Sequence, residues 1–278
     1  MSSVDSRRAY KQADYRSDVN AIWCPGCGDY HVLLSFTRAF AALGRPPEQI
    51  VVVSGIGCSS RIPAYINCYG FHGVHGRSLA LAAGLKVTRP ELTVVVASGD
   101  GDGYSIGGNH FLHACRRNID MTYVVMDNRV YGMTKGQPSP TTEPDFDTAL
   151  SPGGTGLRPF HPLVIALASG ANFVARAFSG APNETADILV QAIRHPGFSF
   201  VEILSPCVTF RPDEKEWKTL VHPAPVAPTS DPAKAARRIM TDDGFNIGIL
   251  YRGDRAPYQP AIGPAKVDLA ELEKDFEL

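Results

Sequence analysis

Two groups of residues combine types and spacings that can do chemistry. Cys24-Pro25-Gly26-Cys27, followed by Gly28, is a C-x-x-C on a tight loop. Such a loop lets both sulfurs turn toward one point, as a metal ion or an iron–sulfur cluster requires. The second group lies at Gly99-Asp100-Gly101-Asp102 and at Asn128-Arg129-Val130-Tyr131, each directly after an apolar run. Asp100 offers a hard carboxylate and Asn128 a hard amide oxygen, a pair suited to Mg²⁺ together with phosphate oxygens. Glycines on both sides of Asp100 let backbone N–H groups approach a diphosphate, and a helix expected from near Gly107 adds its N-terminal dipole. Taken alone, Asp100 and Asn128 also fit ordinary turn chemistry.

The elements that must position these residues follow from the apolar pattern. Ile50–Ser54, Leu92–Ala97, Met121–Met126, Phe173–Phe178 and Phe198–Leu204 are short apolar runs that predict strands buried on both faces. Between them, 29–43, 78–88, 107–117, 161–169 and 183–195 have helical periodicity. Strand–loop–helix alternation of this kind makes a mostly parallel sheet, and open parallel sheets bind ligands beyond the C-terminal ends of their strands. Residues 134–158 form a loop rich in Pro, Gly and Thr, long enough to suggest function. After Pro206-Cys207 the chain becomes Pro-rich with one helical stretch, 233–240, and is expected to be a tail or arm.

At 278 residues, 44% hydrophobic and 20% charged, the composition suits one sizeable α/β domain. A net charge of −1 gives no footprint for nucleic acid. There is no apolar run of the length that spans a membrane, and the polar start lacks the apolar core of a signal peptide. A cytoplasmic location is expected. There the six cysteines are better read as working thiols or packing residues than as disulfides.

The motifs WCPGCG (23–28), GIGCSSR (55–61), HGR (75–77), GDGD (99–102) and NRVYGMTKGQ (128–137) together resemble the β subunit of 2-oxoacid:ferredoxin oxidoreductases. The resemblance covers about 15–207. It implies the diphosphate-domain α/β fold of thiamine-diphosphate enzymes over 1–207, a mostly parallel sheet flanked by helices, with a C-terminal tail over 208–278. It assigns Mg²⁺ to Asp100, Asn128 and the Val130 carbonyl. Thiamine diphosphate falls to Ile56, Gly57, Cys58, Ser59, His75, Gly101, Asp102, Gly132 and Thr134. A [4Fe–4S] cluster falls to Cys24, Cys27, Cys58 and Cys207, although four cysteines also suit structural zinc. Cys68 and Cys115 have no place in the pattern and are expected to pack as small apolar residues.

The chemistry implied is oxidative decarboxylation of a 2-oxoacid with coenzyme A as acyl acceptor and ferredoxin as electron acceptor. Arg61 and Lys135, on loops expected around the cofactor beside His75, are candidate catalytic residues able to pair with a substrate carboxylate. GIGCSSR with YGFHGVHGR (69–77) looks most like the 2-oxoglutarate-specific branch. Pyruvate is the rival substrate, and a thiamine decarboxylase or synthase subunit without a redox centre is the rival class. One diphosphate domain leaves no room for a pyrimidine-binding domain. An α partner in an α2β2-like assembly is therefore expected to supply it.

Overall fold

The computed structural model describes residues 9–259 and 273–274. Its strands are β1 (Ile50–Ser54), β2 (Tyr69–His72), β3 (Thr93–Gly99), β4 (Met121–Asp127), β5 (Val130–Tyr131), β6 (Gln137–Pro138), β7 (Phe173–Phe178), β8 (Phe198–Leu204), β9 (His222–Pro223) and β10 (Asn246–Arg252). Among the described residues, eight of them form one sheet in the order β2-β1-β3-β4-β8-β7-β10-β9. The first six run parallel and β10 is antiparallel to β7. β5 and β6 make a separate small hairpin.

Successive strand residues point to opposite faces, so the apolar strands build two cores at once. On one face Val51, Val53, Val94, Val96, Tyr123 and Val125 pack under α3 (Ser78–Thr88), α5 (Gly108–Arg117), α6 (Pro162–Ala168) and α9 (Pro232–Met240). On the other, Ile50, Val52, Val95, Ala97, Val124 and Met126 pack under α1 (Asp29–Leu43), α2 (Ile62–Tyr65) and α7 (Pro182–Arg194). Two short helices complete the set: α4 (Asp100–Tyr104) and α8 (Trp217–Leu220).

After β1 the chain runs to β2 on one side, then crosses back to β3 on the other. The loops leaving β1 and β3 therefore diverge and open a crevice at the C-terminal edge, the topological switch point of open α/β sheets. The Asp100 segment is not a bare turn, since α4 starts directly from β3. The helix expected from Gly107 begins at Gly108, and neither glycine lines the crevice.

Residues 208–259, expected as part of an arm, carry α8, β9, α9 and β10. β10, with Ile247 and Tyr251 buried, covers β7, which would otherwise be an open sheet edge. The remainder of the expected arm, 260–272 and 275–278, lies outside the described residues.

Candidate functional site

Loops from the ends of β1, β3 and β4 enclose a cavity of about 430 Å³. Residues 56–59, 99–102 and 130–134 line it with Asn128 and His75. It therefore brings together every residue expected to contact thiamine diphosphate, along with Asp100, Asn128 and Val130 expected at Mg²⁺.

Asp100 is 2% exposed and has no cationic side chain against it among the described residues. Thr141 Oγ1 donates toward Asp100 Oδ2 at 3.0 Å and lies 2.8 Å from Oδ1 of the equally buried Asp127. One hydroxyl has one hydrogen, so it cannot satisfy both carboxylates. Burial pushes the Asp100 carboxyl above its usual range, and burial with the neighbouring Asp100 charge pushes Asp127 well up. Ser139 and the backbone at Asp100 and Gly101 also bond Asp100, and the Arg129 N–H bonds Asp127 at 2.9 Å, yet two buried carboxyl groups this close still repel, which a bound divalent cation relieves. Asn128 Oδ1 accepts the Val130 N–H at 3.1 Å, which closes a tight turn at the same edge. Arg129 (φ 52°), inside this turn, and Lys135 (φ 88°), five residues beyond it, are left-handed, a strain that concentrates at functional sites. Gly101 lets the Tyr131 ring pack directly against the start of α4: a methyl group there would lie 2.3 Å from the ring.

Asp102 lines the cavity but its carboxylate also fixes the surrounding loops. Oδ1 accepts N–H groups from Ile56 (3.0 Å) and Gly76 (2.7 Å), and Oδ2 accepts the Ser98 hydroxyl. His75 Nδ1 is 3.0 Å from Asp102 Oδ1, too poorly aligned for a hydrogen bond. Its ring faces Tyr131 across 6.3 Å. Asp102 thus joins the post-β1 loop, the His75 loop and β3.

The four expected cluster cysteines gather beside this cavity. Cys24 and Cys27 sit on a turn with Gly26 at φ 85°, closed by the Cys27 N–H on the Cys24 carbonyl at 3.0 Å. A methyl group at Gly132 would be 3.6 Å from Cys207 Sγ and 3.9 Å from Cys58 Sγ, so these two sulfurs flank a residue of the cavity wall. Burial pushes the Cys58 thiol up to about 11 and raises Cys27 and Cys207; the mutual influence of the four sulfurs adds to it. Among the described residues, no three His, Cys, Asp or Glu side chains converge tightly enough to hold one metal ion. Cys115 is buried in one core and Cys68 packs on the other, apart from this group.

Behind Cys207, Glu214 Oε2 accepts its N–H at 2.9 Å and the Arg211 N–H bonds its carbonyl, also at 2.9 Å. Arg211 in turn holds Glu143 (2.9 Å), within the long 134–158 loop. Arg129 also pairs with Glu143. That loop therefore links the Asn128 turn to the Cys207 segment.

Arg61 and Lys135 are exposed and lie outside the cavity lining. The 3₁₀ turn Ser59–Arg61 buries both serines and turns Arg61 outward. The cavity also has walls the sequence reading missed: Asp29, Met126, Tyr131, Met133 and Gln137. Tyr131 and Met133 lie inside the NRVYGMTKGQ motif, and Asp29 directly follows the C-x-x-C-G, so position within a motif was the available signal.

Residues 55–203 match the family model described as the C-terminal TPP binding domain of thiamine pyrophosphate enzymes. The chain is 48% identical over 72% of its length to the 2-oxoglutarate oxidoreductase subunit KorB of Mycobacterium tuberculosis, spanning 54% of that protein. It is 39% identical to the β subunit of 2-oxoacid:ferredoxin oxidoreductase 1 from Aeropyrum pernix, covering 86% of this chain and 80% of that one. Among solved structures it is similar to 2-oxoglutarate:ferredoxin oxidoreductase from Magnetococcus marinus, whose structure holds 2-oxoglutarate, coenzyme A and succinyl-CoA. There the TM-score is 0.89 and the identity 38%, over 99% of this chain and 98% of that one.

Proposed function

Because the chain belongs to the 2-oxoacid:ferredoxin oxidoreductase β-subunit family, we propose that it is the thiamine-diphosphate and electron-exit half of a 2-oxoglutarate:ferredoxin oxidoreductase. The observation that carries this reading is one cavity with Asp100 and Asn128 in its lining and two cysteine sulfurs against its Gly132 wall. Relatives named for 2-oxoglutarate, and a similar structure that holds it, favour that substrate over pyruvate.

Asp100, Asn128 and the Val130 carbonyl would hold Mg²⁺, which neutralises the buried carboxyl groups and the diphosphate together. The post-β1 loop, Gly101, Asp102, Gly132 and Thr134 would enclose thiamine diphosphate, and His75 would stand at its edge, oriented by Asp102 and Tyr131. Bound there, the cofactor supplies the carbanion equivalent and electron sink for decarboxylating a 2-oxoacid. Cys24, Cys27, Cys58 and Cys207 would hold a [4Fe–4S] cluster that passes electrons singly to ferredoxin. Four cysteines would also suit zinc, and metal analysis of the purified complex separates the two. Free thiols throughout the described residues fit a reducing cytoplasm.

Ile56 and Met133 leave apolar surface exposed in the cavity lining, and Val74 and Ile106 do so beside the His75 loop. Such a rim suits an α partner that completes the site with its pyrimidine-binding domain in an α2β2-like assembly, and supplies much of the coenzyme A site. In this arrangement Arg61 and Lys135 would reach a substrate carboxylate only from the rim. The test is coenzyme A-dependent reduction of ferredoxin by the assembled enzyme with 2-oxoglutarate or pyruvate. Preference for pyruvate overturns the substrate assignment, and turnover by the chain without a partner overturns the division of labour.

A further inference from the structure

Glu143, in the long loop after β6, joins two arginines with its two oxygens. Oε1 accepts from Arg129 Nη1, and Oε2 accepts from Arg211 Nη1 at 2.9 Å. Arg129 stands between Asn128 and Val130 with a left-handed backbone (φ 52°) that needs outside contacts to hold it. Its guanidinium lies 4.8 Å from the Trp217 ring and 5.8 Å from the Phe245 ring, both in the C-terminal segment. Arg211 is almost wholly buried and stacks on Phe146 at 4.1 Å, while its backbone N–H bonds the Cys207 carbonyl. Burial works to raise the Glu143 carboxyl, but the Arg211 hydrogen bond and the Arg129 charge outweigh it and hold the carboxyl below its usual range. Glu143 is thus an anion between two cations. Among the described residues its oxygens bond neither a cysteine nor an expected Mg²⁺ ligand. Arg129, Glu143 and Arg211 form one run of contacts from the Asn128 turn to Cys207.

We propose that Glu143 is the positioning residue that couples the two centres, so that Mg²⁺ with thiamine diphosphate at the Asn128 turn and a cluster on Cys207 strengthen each other's binding. Each centre needs a loop held in one place, and ordering a loop costs conformational entropy. A ligand at the Asn128 turn fixes Arg129, and through Glu143 it fixes Arg211 and the Cys207 carbonyl. The second ligand then finds part of its ordering cost already met. Linkage makes the effect reciprocal, and couplings of this kind are on the order of five- to 150-fold. A chain coupled in this way disfavours a half-loaded state, with thiamine diphosphate bound but no electron exit. Gly132, set against two of the sulfurs in the cavity wall, offers a direct path that survives loss of Glu143. The inference rests on the cofactor and cluster sites described above.

The test is the rate at which the chelator bathophenanthroline disulfonate strips iron from the anaerobically purified complex. The complex is first depleted of thiamine diphosphate, then assayed with and without resupply of Mg²⁺ and thiamine diphosphate. Resupply should slow iron loss at least about fivefold in the unsubstituted complex. Glu143→Gln removes the charge and nearly keeps the shape, and there the protection should be about twofold or less. Lys86→Met is the control. Lys86 pairs with Asp120 at 3.1 Å at the opposite edge of the sheet, so its loss destabilises the fold and should leave the protection intact. Full protection in Glu143→Gln, none in the unsubstituted complex, or an equal drop in Lys86→Met overturns the proposal. Should Glu143→Gln hold no iron, its dissociation constant for thiamine diphosphate must match that of the iron-stripped unsubstituted complex within about twofold. A larger difference in either direction overturns the proposal. An unsubstituted complex that holds no iron, or binds no thiamine diphosphate, overturns instead the reading of the site beneath it, and the proposal falls with that reading.

Discussion

Replacing Asp102 by alanine should loosen the post-β1 loop and the His75 loop from the end of β3. The carboxylate accepts the N–H of buried Gly76 at 2.7 Å, the N–H of exposed Ile56 at 3.0 Å and the hydroxyl of fully buried Ser98. Each buried donor left without a partner costs about 1–3 kcal/mol, and the partly solvated one about 1, for about 3–7 kcal/mol together. In a chain of this size that lowers the thermal midpoint on the order of 10 °C. Gly55 supplies an internal control. A methyl group there would stand 2.0 Å from Asp102 Oδ2 and 2.4 Å from Oδ1, so Gly55→Ala must displace the same carboxylate. In an Asp102→Ala background the obstacle is gone, and Gly55→Ala should cost little. Denaturant unfolding of the four proteins in this cycle should give a coupling of at least about 1 kcal/mol. Additive costs, or an Asp102→Ala protein within about 0.5 kcal/mol of the original, would refute the carboxylate's role as the joint between loops.

Other consequences follow from contacts around the same sheet. Gly101→Ala should weaken thiamine diphosphate binding by tenfold or more, read by fluorescence titration, because its methyl group meets the Tyr131 ring at 2.3 Å; adding Tyr131→Ala should recover part of the loss. Arg176 lies in the sheet, pairing with buried Glu202 at 2.8 Å and with Asp242 at 3.5 Å. Arg176→Met leaves a buried charge unpaired and should cost about 3–5 kcal/mol in denaturant unfolding, whereas the double change with Glu202→Leu should cost less. Burial pushes the Cys68 thiol from 9.0 up to about 12. At pH 8 its reactive thiolate is about one part in ten thousand, so iodoacetamide mapping should leave it unmodified until pH or denaturant exposes it.

The parallel core was legible because strands buried on both faces must be apolar throughout, as in Val94-Val95-Val96 and Val124-Val125. The family pattern also led to the residues that line the cavity. β2 was not legible: Tyr69–His72 contains a glycine, is exposed along its length and carries no alternation. β10 was hidden because Gly248 breaks an apolar run after a Pro-rich stretch, and its partner β7 is distant in sequence. Asp29 reads as an ordinary first-turn helix acid, and only the fold brings Ser205 to it. Arg61 and Lys135 share loops with cavity residues, but the local turn decides where a side chain points. Burial of Ser59 and Ser60 sends Arg61 out.

Iron, acid-labile sulfide and thiamine diphosphate counted per β chain, in complex purified without oxygen, test most directly whether one cavity and its four neighbouring cysteines serve both centres. About four iron, about four sulfide and one thiamine diphosphate are expected, with iron lost and thiamine diphosphate retained in Cys207→Ser. Stoichiometric zinc, or thiamine diphosphate bound without iron in the unsubstituted protein, would contradict it.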